Sequence, residues 1–404
     1  MSTEAHTPVH QAVASASNSS RKGRELPKTP EQPFSLGFKT AFASSASDQL
    51  SLHQKRKFFA FALDKIQTNA GLGTQEQRAQ WATPVFGKPT DQQSHHVLND
   101  EDPMRRKVGD PRGPQGHTWK GYWIPFQDQV HSVKDGQGQE NYAKKKAEEI
   151  KNINVGEGCD LVVFMTHGGG FVDGYPLQTL GFMLRVMKQA QEKHGIKVGF
   201  LSIDYSLSPE TPFPGALNEC VEAYRSLVKE YSVDPKRIVL GGESAGGNLS
   251  HVLSLKLRDE LGHELGLPAG VYTVSPYFLD PEPMEHSLYD TLTPLNCQNF
   301  VTHYSQHNPE ILASQYYSPL NATTLSGLPP MLVYIGGVEI LRPSIEKFVV
   351  KAKNDGGDIQ VVLKEGRGHV WFLIEPASTE QDREESVASV TNFLASIYDK
   401  QQQQ

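Results

Sequence analysis

The sequence predicts an α/β protein with a mostly parallel sheet flanked by helices. Short runs of apolar, often β-branched residues recur through residues 116–400, and segments with helical spacing separate most of them. The run at residues 160–165 is continuously apolar rather than alternating, as expected of a strand that is covered on both faces. With 404 residues, the chain is long enough to bury a large core.

The individual elements follow from these runs. The predicted strands lie at residues 117–125, 160–165, 197–205, 237–240, 271–275, 331–335 and 359–363. The predicted helices lie at residues 177–194, 216–231, 384–398 and, at helical spacing, in the segment that begins with Leu249.

Three regions stand outside this alternation. Residues 1–33 are rich in Ser, Thr, Pro and charge without periodicity, which predicts a disordered leader. Residues 34–115 are predicted to form an N-terminal helical cap segment and a linker, because apolar residues at helical spacing precede a proline-rich stretch. Residues 276–328 are long, rich in aromatic side chains and inserted between strands, so we expect a second part of the cap there.

Composition and charge narrow the functional classes. A net charge of −7 argues against a general nucleic-acid binder. Three widely spaced cysteines without a CxxC motif indicate a reducing, cytoplasmic location and argue against a zinc or redox site. No apolar run approaches the length of a membrane-spanning helix, and none resembles a signal peptide. We therefore expect no metal, cofactor, nucleic acid or spanning segment. The cysteines are Cys159, Cys220 and Cys297.

A candidate nucleophile lies between an apolar run and a helical segment. Gly242-Glu243-Ser244-Ala245-Gly246 matches the G-x-S-x-G pattern, in which serine occupies a strained turn from strand to helix. The pattern alone could arise by chance, but the strand before it and the helix after it favour the turn. It would hold the Ser244 hydroxyl outward and direct the amide of Ala245 toward a developing oxyanion.

A serine nucleophile requires a base that a third group orients. His369 lies in a glycine-spaced loop just after the strand at 359–363 and is the predicted base. Glu339 follows the strand at 331–335 and is the predicted acid, although a salt bridge with Arg342 is the alternative for its carboxylate. Rival acids with poorer placement are Asp290, Asp355 and Asp358.

Backbone donors for an oxyanion are predicted after the strand at 160–165. The run His167-Gly168-Gly169-Gly170-Phe171 offers amides without side chains, an arrangement used by lipases and esterases. A phosphate-binding loop is the alternative, but the run lacks the lysine of that motif.

With these residues in view, the chain resembles the hormone-sensitive-lipase family of α/β-hydrolase carboxylesterases over residues 160–375. The motifs that carry the resemblance are His167-Gly168-Gly169-Gly170, Asp204-Tyr205-Ser206-Leu207-Ser208-Pro209-Glu210 with Pro212-Phe213-Pro214, Gly242-Glu243-Ser244-Ala245-Gly246-Gly247-Asn248, and Ser318-Pro319-Leu320 before Gly327-Leu328-Pro329-Pro330. The resemblance implies an eight-stranded α/β-hydrolase fold with a helical cap, and ester cleavage through an acyl-enzyme.

The resemblance also implies site residues. Ser244 would be the nucleophile and His369 the base. The backbone amides of Gly169, Gly170 and Ala245 would donate to the oxyanion. His167 and Tyr205 match positions that support the loop. We also expect substrate contacts from Phe171, Tyr205, Glu243 and Tyr277.

Two departures from the family pattern bear on the acid and the substrate. Glu339-Ile340-Leu341-Arg342-Pro343 stands where the family usually has an aspartate followed by Pro-Leu-Arg-Asp, although a glutamate can still reach an imidazole. The long N-terminal part is similar to eukaryotic, particularly fungal, members, some of which deacetylate sterols or process secondary metabolites. We expect a small apolar ester with a short acyl group or a lipophilic alcohol as substrate, and leave open a homodimer.

Two alternatives to ester hydrolysis stay open at this point. The same chemistry could transfer the acyl group to an alcohol or amine, or form a lactone, in a biosynthetic pathway. The fold could also serve as a receptor without catalysis, as in the gibberellin receptors, although the presence of Ser244, His369 and a carboxylate argues against this.

Overall fold

The computed structural model describes residues 81–86, 118–126, 154–373 and 378–403. The predicted leader and nearly all of the predicted N-terminal cap segment and linker lie outside the described residues.

Eight strands form one sheet in the order β1-β2-β4-β3-β5-β6-β7-β8. The strands are β1 (Thr83–Phe86), β2 (Lys120–Ile124), β3 (Leu161–Thr166), β4 (Val198–Ile203), β5 (Ile238–Glu243), β6 (Gly270–Val274), β7 (Met331–Gly336) and β8 (Ile359–Lys364). Strands β1 and β2 are antiparallel to each other, β2 is antiparallel to β4, and the remaining neighbours are parallel. The carboxyl ends of β3 to β8 therefore share one edge.

Helices connect and cover the strands. In the described residues they are α1 (Leu180–His194), α2 (Gly215–Lys229), α3 (Ala245–Lys256), α4 (Gly262–Leu265), α5 (Pro294–Ser305), α6 (Pro309–Ala313), α7 (Arg342–Asn354) and α8 (Glu380–Gln402). Local signals define several of their ends. Gly195 ends α1 in the left-handed conformation, and capping boxes begin α5 at Thr293 and α8 at Thr379.

The sheet separates two hydrophobic clusters. Along β3, Val162 and Phe164 belong to one cluster, whereas Leu161, Val163 and Met165 belong to the other. Helices α2, α3 and α7 contribute to the first cluster, and α1 and α8 to the second. Burial of both faces explains why β3 to β7 consist almost entirely of apolar and small residues.

The fold class is confirmed, and two elements differ from the sequence prediction. Thr83–Phe86 lies in the segment predicted to be helical but forms strand β1, whose pairing with β2 supplies the hydrogen bonds that stabilise it. Arg342–Asn354 forms helix α7, which is absent from the sequence prediction. The insertion between β6 and β7 contains α5, α6 and a 3₁₀ turn, Pro319–Asn321.

Two further observations concern thiols and membranes. Cys159, Cys220 and Cys297 are free and buried. Among the helices of the described ranges, none is long and apolar enough to cross a membrane.

Candidate active site

Ser244 lies at the junction of β5 and α3 in a strained backbone conformation. Its φ of 53° and ψ of −119° are unusual for a residue with a side chain. The residue is buried except for 7% of its surface. The chain thus makes the sharp turn that the G-x-S-x-G pattern predicts.

The glycines of this turn are required by close backbone packing. A Cβ atom on Gly242 would lie 2.4 Å from the carbonyl oxygen of Gly246. One on Gly246 would lie 2.1 Å from the carbonyl oxygen of Thr166, at the end of β3. The Thr166 hydroxyl donates to the Gly246 carbonyl oxygen across 2.7 Å, which fixes the start of α3 against β3.

Backbone hydrogen bonds tie the turn to the next strand. The Ser244 N–H donates to the Val274 carbonyl oxygen at 3.0 Å, and the Tyr277 N–H donates to the Ser244 carbonyl oxygen at 2.8 Å. Ser244 is therefore held beside the carboxyl end of β6 as well as that of β5.

The predicted base and acid form a buried pair after β7 and β8. His369 Nδ1 lies 2.9 Å from Glu339 Oε2, and the Gly336 N–H donates to Glu339 Oε1 at 2.7 Å. An ionised Glu339 in this position accepts the Nδ1 proton, which would leave Nε2 as the basic nitrogen of a neutral imidazole. Arg342, the alternative partner for Glu339, instead bonds Glu346 at 2.7 Å and the Gly337 carbonyl oxygen at 2.9 Å.

Ser275 connects this pair to the end of β6. The residue has a φ of 48°, and the Val370 N–H donates to its hydroxyl oxygen at 3.1 Å. The same hydroxyl bonds the Glu339 carboxyl group and lowers its pKa. Because Ser275 directly follows Val274, the partner of the Ser244 amide, the turn at Ser244 and the His369 loop meet at one position on the sheet edge.

Burial sets the protonation of the pair. It lowers the pKa of the His369 imidazole, whereas the nearby Asp290 carboxylate raises it. Burial also raises the pKa of the Glu339 carboxyl group, and the hydrogen bonds from Gly336 and Ser275 oppose that shift. The imidazole is thus held neutral at physiological pH, which is the form that can accept a proton.

The glycine loop after β3 approaches the same turn. Gly169 and Gly170 have φ values of 120° and 62°, in the region that favours glycine. The Gly169 carbonyl oxygen accepts the N–H groups of Val172 and Asp173 at 3.1 and 2.9 Å, which closes a tight turn. A Cβ on Gly168 would lie 3.1 Å from the Ser244 Cβ, so the loop packs directly on the candidate nucleophile.

Glu243 and Tyr205 both contact the glycine loop or its neighbours, and the predicted contact of these residues with the substrate stays a prediction. Glu243 Oε1 accepts the Gly168 N–H at 2.9 Å and the Gln178 amide at 2.8 Å, and burial raises the pKa of this carboxyl group to about 7. The Tyr205 hydroxyl donates to the His167 carbonyl oxygen at 2.6 Å, and its ring stacks on the His167 ring. Both side chains are buried.

Aromatic side chains pack around the loop. Phe171 stacks on Tyr304 of α5 with ring centroids 3.8 Å apart, and the Tyr277 hydroxyl donates to the Cys297 carbonyl oxygen at 3.0 Å. Both Phe171 and Tyr277 are buried, and the predicted contact of these residues with the substrate stays a prediction. The half-buried ring of Phe300 lies against Gly170, where a Cβ would be 2.4 Å away. Phe300 was not among the residues predicted from the sequence.

The other candidate acids, Asp290, Asp355 and Asp358, have partners other than the His369 ring. Asp355 accepts the Leu325 N–H at 2.6 Å, and Asp358 lies 3.5 Å from Lys400, so both are engaged elsewhere. Asp290 is close to His369 but contacts its backbone rather than its ring. Within the described ranges, no group of three or more His, Cys, Asp or Glu residues is arranged to hold a metal ion.

Comparisons with known proteins identify the fold family. A family model described as the alpha/beta hydrolase fold matches residues 163–373. An esterase from Acinetobacter venetianus is 29% identical over 266 residues, which are 62% of this chain and 79% of that protein. A carboxylic ester hydrolase, LipN, from Mycobacterium tuberculosis is 31% identical over 48% of this chain and 52% of its own.

A solved structure also supports the family assignment. A hormone-sensitive lipase from a metagenome library is 27% identical and has a TM-score of 0.52, with 59% of this chain and 79% of that chain covered. The match spans 62%, 79% and 52% of the lengths of three of the curated relatives. The chain belongs to the α/β-hydrolase-fold family and is of the hormone-sensitive-lipase-like type.

Proposed function

We propose that the protein hydrolyses carboxylic esters of small apolar alcohols or acids through an acyl-enzyme on Ser244. The observation that carries the proposal is the buried His369–Glu339 pair, 2.9 Å apart, at the same sheet edge as the strained serine. The relatives named as esterases support the reaction class.

In the first half of the reaction, the Ser244 oxygen attacks the ester carbonyl carbon and Nε2 of His369 takes the hydroxyl proton. The Glu339 carboxylate at Nδ1 keeps the imidazole in the required tautomer and stabilises the imidazolium that forms. The imidazolium then gives its proton to the leaving alcohol, and the acyl group remains on Ser244.

In the second half, water attacks the acyl carbon while His369 takes a proton from it. The bond from the acyl carbon to the Ser244 oxygen then breaks, His369 returns the proton to that oxygen, and the carboxylic acid leaves. The tetrahedral intermediates of both halves carry negative charge on the former carbonyl oxygen. The backbone amides of Gly169, Gly170 and Ala245 are proposed to donate to it. Positive φ values in the glycine loop and the bond between Gly168 and Glu243 support a fixed orientation of this loop.

The aromatic side chains near the loop support an apolar substrate. Phe300 packs on Gly170 and is half-buried, so a substrate bound beside the loop would contact an aromatic surface. A screen of p-nitrophenyl esters from two to sixteen carbons would report the length of acyl chain that this surface accepts. Running the screen with added alcohols would separate hydrolysis from acyl transfer.

The test of the proposal is the variant Ser244→Ala. We expect ester turnover to fall by about 10⁶-fold, since loss of a serine nucleophile costs roughly this much in serine hydrolases. Ser232→Ala is the matched control, because Ser232 also has a positive φ, 55°, but is exposed on the surface after α2. A Ser244→Ala protein that cleaves p-nitrophenyl acetate as fast as the control would place the nucleophile elsewhere.

A further inference from the structure

Asp290 connects the two loops that carry the candidate base and acid. Its Oδ1 accepts the backbone N–H of His369 at 3.1 Å, and its Oδ2 accepts the backbone N–H of Ile340 at 2.7 Å. Ile340 directly follows Glu339. One carboxylate from the insertion between β6 and β7 thus joins segments that are 50 and 79 residues away along the chain.

The Asp290 side chain is itself held in place by its own backbone. Oδ1 also accepts the Thr291 N–H at 2.7 Å and faces the Leu292 N–H at 3.4 Å. These local bonds hold the Asp290 carboxylate in one orientation, in which its oxygens accept the N–H groups of His369 and Ile340.

The two loops and the insertion pack closely against one another at two glycines, Gly336 and Gly368. A Cβ on Gly368 would lie 2.9 Å from the Tyr289 carbonyl oxygen and 3.4 Å from Asp290 Oδ1. A Cβ on Gly336 would lie 2.5 Å from the Gly368 carbonyl oxygen. The glycine before His369 is therefore needed for the approach to Asp290 as well as for the loop.

Asp290 also supplies negative charge beside the imidazole. The carboxylate raises the pKa of His369, which means that it favours the protonated ring. Glu339 is the other carboxylate that faces the ring, at Nδ1. The cations nearby are paired elsewhere: Arg342 with Glu346, and Arg367 with Asp382 of α8. Burial, together with the Glu339 carboxylate, raises the pKa of the Asp290 carboxyl group, whereas His369 and the two N–H groups that it accepts oppose this shift and favour the charged form.

We propose that Asp290 is a positioning residue of the ester hydrolase, which holds the His369 loop and the Glu339 loop together and stabilises the imidazolium in the transition state. This inference rests on the proposed function. Asp290 does not contact the reacting atoms; it acts through the backbone of His369 and Ile340 and through its charge.

The test compares three carboxylate-to-amide variants. Asp290→Asn removes the charge and replaces one of the two acceptor oxygens by an amide donor, so it breaks one of the loop contacts. Asp280→Asn is the matched control, because Asp280 lies in the same insertion but binds Lys347 at 2.7 Å and the Glu282 N–H at 3.1 Å. Glu339→Gln is the comparator that disturbs the ring contact itself.

We expect Asp290→Asn to lower kcat by about 10- to 100-fold with little change in KM, since small misplacements of a catalytic group have costs of this order. The acid limb of its pH profile of kcat/KM should move to lower pH, because the charge that favours the imidazolium is gone. A purely structural role would lower the rate without this shift, or would move the limb up toward pH 6.5 as the ring became exposed to water. Asp280→Asn should keep the wild-type rate and profile.

Three outcomes would overturn the inference: an unchanged rate and acid limb in Asp290→Asn, a lowered rate without a downward shift of the limb, or an equal loss in Asp280→Asn. If Asp290→Asn does not fold, as judged by near-UV circular dichroism, Asp290→Ser keeps one acceptor oxygen and carries the same expectations. Failure of the proposed function would look different, because wild-type hydrolysis would then not depend on Ser244.

Discussion

The turn at Ser244 and the His369–Glu339 pair lie at the same edge of the sheet, but they are built in different ways. The turn is specified within five consecutive residues, whose two glycines pack against backbone atoms at distances that no side chain could occupy. The pair is assembled from segments that are 30 residues apart, and contacts to Ser275 and Asp290 add separations of 95 and 79 residues.

Substitutions in the two regions should therefore differ in whether they affect stability as well as catalysis. The turn forms part of the packing between β3, β5 and α3, so changes in it should disturb the core as well as the nucleophile. The pair lies in loops beyond the strands, and its hydrogen bonds serve mainly to orient one imidazole. Changes there should reduce catalysis while the sheet stays intact.

The largest effect on catalysis is expected from a change in the His369–Glu339 pair. His369→Asn keeps an N–H donor for Glu339 but removes the basic nitrogen, so kcat/KM should fall by about 10⁴- to 10⁶-fold, as for the loss of other catalytic bases. The urea midpoint of unfolding should stay close to that of wild type. His263→Asn, at an exposed histidine of α4, is the control and should change neither quantity. A large loss of stability in His369→Asn would show that the pair is as deeply coupled to the core as the turn.

A smaller effect is expected on the side of the turn. Gly246→Ala places a Cβ 2.1 Å from the Thr166 carbonyl oxygen, so the backbone of β3 or α3 must shift. We expect a loss of about 1–3 kcal/mol in the free energy of unfolding, as for other overpacked sites, together with reduced turnover. Gly158→Ala is a useful control, since a Cβ there would meet no atom within 4 Å, although its φ of 70° still adds some strain. Equal stability of Gly246→Ala and wild type would contradict the local account of the turn.

The smallest effect is on the pH dependence of kcat/KM, which reports the pKa of the His369 imidazole. Burial lowers the pKa of His369 to about 4, so the imidazole should stay neutral well below pH 6.5, the ordinary value for histidine. The acid limb of kcat/KM for a neutral ester should therefore lie below pH 6.5. We would measure it between pH 4 and 8 at constant ionic strength. An apparent pKa at or above 6.5 would mean that the ring is more hydrated, or more strongly stabilised as a cation, than the structure indicates.

The same contrast explains which elements could be predicted from the sequence. Strands β3 to β7 consist almost entirely of apolar and small residues, and β8 is rich in β-branched residues, so each carries its own signal. Strand β1 is short and partly exposed, and its state depends on pairing with β2, which a local pattern does not reveal. Helix α7 is amphipathic, with Ile345 and Phe348 in the core, and its periodicity could have identified it.

For the site, motifs placed Ser244, His369 and Glu339 after the correct strands, because each lies next to a glycine-rich turn. The supporting contacts were harder to predict. Ser275 and Asp290 act through bonds to residues 50 to 95 positions away, and nothing near them in the sequence indicates those partners. The bond from the Gly168 amide to the Glu243 carboxylate was also not predicted, because it depends on how two loops pack. Their catalytic roles remain predictions.

The central claim is that Ser244 is a nucleophile activated by His369, and covalent labelling tests it most directly. The full chain would be treated with a fluorophosphonate, digested and mapped by mass spectrometry, in parallel with His369→Asn. We expect a single stoichiometric adduct on Ser244 in the wild type. Labelling of the variant should be at least about a hundredfold slower, which is the lower end of the rate loss when a general base is removed. Absence of an adduct, an adduct on another residue, or equal labelling of the two proteins would contradict it.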